Sequence, residues 1–149
     1  MPATALKPAV PSLVLEYPPL PPEAVAAHAR AMLGQYTDPA DLHTDLAAGC
    51  DAFIVLDARS AEAYAHRHIP GAINFPHREM TAESVQRLPK NQLIVAYCDG
   101  IGCNASTKAT LKLAGFGFKV KELIGGLDWW IRDGYGVETG AANGPACGC

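Results

Sequence analysis

Cys98 opens the run Cys98-Asp99-Gly100-Ile101-Gly102-Cys103, which follows the apolar segment Leu93 to Tyr97 and precedes a helical pattern beginning near Asn104. A glycine-containing turn between a strand and a helix N-terminus can point several backbone N–H groups inward, making a nest for an anion. A thiolate is such an anion. The same amides and the positive end of the helix dipole are expected to lower the pKa of Cys98 and prepare it as a nucleophile near neutral pH. Suitable substrates are anionic or sulfur-bearing. Residue types alone leave a plainer reading open, in which Cys98 is a small buried residue closing a strand.

The other candidates carry weaker signals. Five cysteines at positions 50, 98, 103, 147 and 149 form an odd, scattered set, which argues for individual thiol chemistry over a disulfide framework. Cys147-Gly148-Cys149 could accept sulfur from Cys98 on a mobile arm or join a metal site between molecules, but two thiols without further ligands favour a plain tail. His66 and His68 have the spacing of a ligand pair, and no metal is expected there. Cys50 reads as a loop or core thiol, and at least one ring of Trp129 and Trp130 should be buried.

Positioning Cys98 falls to the surrounding elements. Phe53 to Leu56 and Leu93 to Tyr97 are short, nearly continuous apolar runs, as expected for parallel strands covered on both faces. Buried helix would give similar runs, but their length, β-branched content and the helical stretches between them favour strands. The pattern predicts strand 53–57, helix 61–67, strand 72–75, helix 82–88, strand 93–97, helix 104–114, strand 119–124 and helix 127–133, an α/β fold with a parallel sheet. Upstream, one helix runs from Pro22 to Leu33 with Gly34 just past its end, and a second is capped by Asp38, begins with Pro39 and stops at Gly49. Ligands of such sheets bind outside the carboxyl ends of the strands, which directs attention to residues 57–60, 76–78, 98–103 and 125–126.

Domain organisation and partners follow from composition. At 149 residues and 49% hydrophobic content, the chain can bury one substantial core. Residues 1–22, holding seven of the twelve prolines, read as an extended arm; 23–137 form the domain; and 138–149 are a flexible Gly/Cys tail, with the aperiodic stretch starting already at residue 134. A net charge of −3 leaves no basic excess for phosphate backbones or anionic lipid, so neither nucleic acid nor membrane is an expected partner. Before Glu23 the longest apolar stretch is Leu13 to Leu15, too short for a signal-peptide core or a spanning helix, and the expected location is the cytoplasm.

Two longer patterns add a family resemblance. Val55-Leu56-Asp57-Ala58-Arg59, then Glu62 and Tyr64, then His68-Ile69-Pro70-Gly71-Ala72-Ile73-Asn74 resembles the first signature of rhodanese-like domains. Ile94-Val95-Ala96-Tyr97-Cys98, followed by Leu111, Ala114, Gly115, Phe116, Leu123, Gly125, Gly126 and Trp129, resembles the second half of the same family. The order and spacing hold over roughly residues 38 to 137, which is far more specific than any single motif.

The resemblance implies an open parallel sheet flanked by helices on both faces. It also implies a sulfurtransferase in which Cys98 takes sulfane sulfur from a small donor, thiosulfate or a persulfide, holds it as a persulfide, and passes it to cyanide, a thiol or a partner protein. Backbone N–H groups of Asp99, Gly100, Ile101, Gly102 and Cys103 would bind the persulfide and the donor's oxygens, and no cofactor is implied. In the family, a pair such as Asp57 and Arg59 more often braces loops than reacts, with Arg59 able to lend positive potential, and His68 belongs to a packed turn.

One departure from the family pattern stands inside the loop. The usual sequence is Cys-x-x-Gly-x-Arg, and Cys103 falls where the arginine belongs. The loop length fits sulfurtransferases, and without a closing arginine to hold oxyanions bidentately the phosphatase reading is disfavoured. The same loss weakens thiosulfate as donor, because Asp99 adds a like charge that nothing in the loop offsets; Lys108, one turn into the helix, is the candidate compensation. Cys103 is either a resolving thiol that attacks a modified Cys98 or a small residue filling the space an arginine left. An alternative to enzymatic turnover therefore stays open: a persulfide carrier, or an anion-binding or redox module, serving a partner protein.

Overall fold

Alternate residues of the two longest strands point to opposite sides of one sheet, and both sides are buried. The computed structural model describes residues 6–142. Strand β2 (Phe53–Asp57) and strand β4 (Leu93–Tyr97) pair in parallel from Phe53 opposite Leu93 to Asp57 opposite Tyr97. Val55, Val95 and Tyr97 join Leu42, Tyr64, Leu123, Leu127 and Trp130 in one core cluster. Leu56 and Ile94 join Phe75, Met80, Val85, Ala109 and Leu113 in the other. This two-sided burial is why both strands read as unbroken apolar runs.

All strand pairs are parallel, in the order β1-β5-β4-β2-β3. The edge strands are short: β1 (Tyr36–Thr37) lies beside β5 (Val120–Leu123), and β3 (Ile73–Asn74) lies beside β2. Helices α2 (Pro39–Ala47), α3 (Ala61–His66) and α5 (Gly126–Arg132) contribute to the first cluster, and α4 (Ala105–Gly115) to the second. The α/β class with helices on both faces is thus as the sequence indicated. Helix α2 starts as expected, with the Asp38 side chain accepting from the Asp41 N–H at 2.9 Å and Pro39 in the first turn.

Four local expectations are corrected. Strand β1 has no counterpart among the expected elements, because two residues cannot carry a period. The helix expected at 82–88 is a 3-10 turn over Ser84–Arg87, preceded by another over His77–Glu79. There the Thr81 and Ser84 hydroxyls bond the backbone N–H groups of each other's residues and compete with an α-helical ladder, while Pro89 disfavours helix at Leu88. The first helix, α1 (Pro22–Gln35), runs through Gly34 rather than stopping before it, and none of its residues is buried. Finally, part of the carboxyl segment expected to be loose is bonded down: His68 and Glu138 exchange both backbone bonds at 2.9 Å, and Gly140 N–H donates to the Ala65 carbonyl at 2.8 Å. Backbone pairing of this kind leaves no apolar signature.

The chain divides after Gly34 into two compact units, and all elements from β1 onward belong to the second. Among the described residues no helix is long and apolar enough to cross a membrane. Cys147 and Cys149 lie outside the described residues.

Helix α4 supplies a test of the packing. Leu113 is fully buried whereas Leu111 is 76% exposed. Leu113→Ala should lower unfolding free energy by about 2–5 kcal/mol, and Leu111→Ala by no more than about 0.5 kcal/mol, as read by denaturant titration.

Candidate active site

The carboxyl ends of β2 and β4 come together around one buried carboxylate. Asp57, the last residue of β2, is fully buried, and its two oxygens collect four donors. Oδ1 accepts from the Arg59 backbone N–H at 2.9 Å and from Arg59 Nε at 3.0 Å. Oδ2 accepts from Arg59 Nη2 at 2.7 Å and from the Tyr97 hydroxyl at 2.7 Å. Tyr97 in turn accepts from the Ile69 N–H at 3.1 Å. Burial and the neighbouring Asp57 charge push the Tyr97 pKa far up, so it remains a donor. Burial opposes the Arg59 charge, but the hydrogen bonds to Asp57 and Asp99 and the charge of Asp57 outweigh it, and its pKa is raised.

Arg59 also reaches the loop. Its Nη1 donates to Asp99 Oδ1 at 2.8 Å and its Nη2 to the Arg67 carbonyl at 2.7 Å. Two expectations change accordingly. Asp99 does not stand as an unbalanced negative charge beside the thiol, because Arg59 pairs with it. Arg59 is not a free source of positive potential, because Asp57 and Asp99 share its charge. As a brace between β2 and the loop after β4, it acts as the family resemblance implied.

Cys98 follows β4 directly and is 2% exposed. Its Sγ lies 3.1 Å from the Cys103 carbonyl oxygen and 3.7 Å from that of Gly100, both placed to accept the thiol proton. The Cys103 N–H, expected to face the sulfur, instead donates to the Gly100 carbonyl at 3.1 Å. The donors that do reach Sγ come from Ser106 in the first turn of α4: its hydroxyl at 3.5 Å, and its backbone N–H. The expected lowering of the thiol pKa is therefore reversed. Burial pushes the Cys98 thiol up, and the neighbouring Cys103 thiol adds to this, against an opposing pull from both Ser106 donors. The sequence reading missed Ser106, although a hydroxyl residue in the turn after the loop was a signal within reach.

The loop backbone is clamped from the neighbouring strand, where α5 opens just after the carboxyl end of β5. The N–H groups of Leu127 and Asp128, opening α5, donate to the carbonyls of Cys98 at 2.9 Å and Asp99 at 2.8 Å. Gly126 sits beside them at φ +57, and a Cβ there would run into the Cys98 carbonyl. Only glycine combines that backbone conformation with that approach. At Gly100 the constraint is a side chain instead, since a Cβ would press on the Asp128 carboxylate and oblige it to shift.

A cleft of about 350 Å³ opens beside this loop, lined among others by Arg59, Ser60, His77, Arg78, Asp99 and Cys103. Of the residues singled out in the sequence, it gathers Arg59, Asp99 and Cys103. Cys98 lies behind it, Ile101 and Gly102 are exposed on the loop's outer side, and Lys108 is exposed on α4. His77 and Arg78 were foreseen only as part of a segment following a strand. Burial comes first among the causes that lower the His77 pKa, followed by the charges of Lys112, Lys108 and Arg78. Arg78, Lys108 and Lys112 thus bring positive charge to the His77 side of the cleft, the two lysines from outside the lining. His68 takes no part in the cleft. It is buried and stacks on Tyr64 with ring centroids 3.7 Å apart, and its Nδ1 lies 2.7 Å from the Tyr64 carbonyl.

Comparison with known proteins agrees with this architecture. The model of the rhodanese-like domain matches residues 38–133. The chain belongs to the rhodanese-like family. A Bacillus halodurans protein of known structure is 42% identical, with a TM-score of 0.77 over 80% of this chain and 87% of that one. A chloroplastic thiosulfate sulfurtransferase of Arabidopsis thaliana is 33% identical over 89 residues, 53% of this chain and 74% of its own length. An HTH-type transcriptional regulator of Mycobacterium tuberculosis is 38% identical over 90 residues, 60% of this chain and only 39% of the regulator. The chain thus spans well under half of the regulator's length.

Two measurements check the site. Asp57→Asn removes the charge that balances buried Arg59 and should destabilise the fold by about 3–5 kcal/mol in denaturant titration. Because a raised thiol pKa leaves little thiolate at neutral pH, alkylation of Cys98 should be slow there and climb through and beyond the ordinary thiol range. Ser106→Ala removes one of the donors that favour the thiolate, and should slow alkylation further. Peptide-resolved mass spectrometry distinguishes Cys98 from the other cysteines.

Proposed function

We propose that this rhodanese-like protein is a sulfurtransferase that carries sulfane sulfur as a persulfide on Cys98. The supporting observation is the placement of that thiol: at the carboxyl end of β4, against the first turn of α4, directly behind a cleft with positive charge on its His77 side. In loading, the Cys98 thiolate attacks the outer sulfur of the donor and forms a new S–S bond, while the donor's own S–S bond breaks. Sulfite leaves when the donor is thiosulfate, and a thiolate when it is a persulfide. The Ser106 hydroxyl and N–H stabilise the negative sulfur.

The charge pattern favours a low-molecular-weight persulfide over thiosulfate. Arg59 is already engaged by two carboxylates, and the loop supplies no guanidinium of its own, so a dianion finds only Arg78 and the outlying lysines. A monoanion needs less compensation. The burial of Cys98 favours one second reading, in which the persulfide is stable and leaves only to a partner protein's cysteine.

Intact mass after incubation with either donor tests the proposal. The wild type should gain one sulfur atom on Cys98, faster from the persulfide, and Cys98→Ser should gain none at that position while remaining folded. Prompt discharge to cyanide supports turnover, and discharge only to a protein thiol supports the carrier. Absence of any Cys98 adduct from either donor would overturn the sulfur-transfer assignment.

A further inference from the structure

Sulfur chemistry in this loop involves two thiols with opposite access. Cys98 is 2% exposed and lies behind the cleft, whereas Cys103 is half-buried and forms part of its wall. A persulfide on Cys98 would present its inner sulfur to almost nothing from solution. Cys103 is different. The turn closed by its N–H on the Gly100 carbonyl at 3.1 Å folds it back, placing its own carbonyl 3.1 Å from Cys98 Sγ. Its thiol is near enough for a charge on it to disfavour one on Cys98. Both are free thiols in this structure, so the pair is in its reduced form.

We propose that Cys103 is a resolving nucleophile that discharges the sulfur carried by Cys98 and leaves a disulfide between the two residues. The step rests on the persulfide chemistry proposed for Cys98. Cys103 sulfur attacks Cys98 Sγ, forming the Cys98–Cys103 bond. The bond from Sγ to the outer sulfur breaks, and its electron pair departs with that sulfur. The outer sulfur takes the Cys103 proton and is released as hydrosulfide into the cleft. The sulfane sulfur is thereby reduced and the two thiols are oxidised to a disulfide, so no external oxidant takes part. A dithiol reductant restores the pair by exchange, entering at the Cys103 sulfur, which is the accessible one.

Loop and cleft both suit this role. A thiol so near in the chain competes with free thiols at an effective concentration on the order of millimolar or above. Gly102 is exposed and has nothing within 4 Å of where a Cβ would stand, so no packing holds the loop backbone at that point. The α5 clamp holds the carbonyls of Cys98 and Asp99, leaving the segment from Gly100 to Cys103 to make the adjustment. The products also match the surroundings, since hydrosulfide is an anion released beside Arg78 and His77.

The test uses the full chain with Cys50, Cys147 and Cys149 changed to Ser, leaving the two loop thiols. It is loaded with a low-molecular-weight persulfide, rapidly desalted, and followed by intact mass, peptide mapping and sulfide assay. With Cys103 present, the sulfur adduct should decay without added acceptor, releasing one equivalent of sulfide and leaving a protein lighter than its reduced form by two hydrogens, with residues 98 and 103 linked. With Cys103→Ser or Cys103→Ala, the adduct on Cys98 should form and persist. Equal persistence with and without Cys103, or sulfide release without the linked peptide, overturns the resolving role and leaves Cys98 loading intact. Failure of Cys98 to load in every variant overturns both this inference and the sulfurtransferase reading beneath it.

Discussion

Asp57 holds a negative charge at the end of β2 with no access to water, and the loops around the cleft depend on how that charge is satisfied. An isolated carboxylate in such a place would be strongly unfavourable. Here the Arg59 backbone and guanidinium, together with the Tyr97 hydroxyl, converge on its two oxygens. Each donor residue belongs to a different part of the site. Tyr97 precedes Cys98 in sequence, and Arg59 reaches onward to Asp99, which follows it. The ion pair is weak evidence of net stabilisation, since its desolvation is large. What it supplies is position, because β2, β4 and the loop after β4 share a single hydrogen-bonded node.

Around that node the two loop thiols occupy contrasting environments. Cys98 has the placement of a nucleophile but the surroundings of a neutral thiol, with carbonyl oxygens turned toward it and only Ser106 favouring the anion. Cys103, at the position where the sequence resemblance implied an arginine, lines the cleft. Replacing a guanidinium with a thiol removes the capacity to neutralise an oxyanion and adds a soft nucleophile. The acid expected to aggravate the loss is itself paired with Arg59, so the electrostatic deficit is smaller than the loop sequence alone indicates.

Those differences show what the sequence could and could not convey. Strands β2 and β4 were legible because burial on both faces leaves continuous apolar runs, and α2 because Asp38 and Pro39 are side-chain signals with local causes. Strand β1 was not, since its membership rests on backbone pairing with β5, far along the chain. The same blindness covers the bonds at Glu138 and Gly140. Within the site, Cys98 was found from its place between strand and helix. The direction of its acidity was not, because a glycine-rich turn can present either amides or carbonyls, and here the Cys103 N–H closes on the Gly100 carbonyl while carbonyls face the sulfur. His77 and Arg78 entered the cleft by tertiary placement alone.

The two hydrogen bonds by which α5 grips the loop join main-chain atoms, with Gly126 allowing the close approach. It recognises the path of the chain and ignores which side groups that path displays. Apart from Gly100, which faces the Asp128 side chain, positions 98 through 103 therefore behave as a socket whose chemical fittings can be exchanged without rebuilding the wall around them. On such a scaffold, gaining a second sulfur or giving up an arginine is a change of reactivity at nearly constant architecture, and resemblance in shape among its bearers says little about what each one transfers.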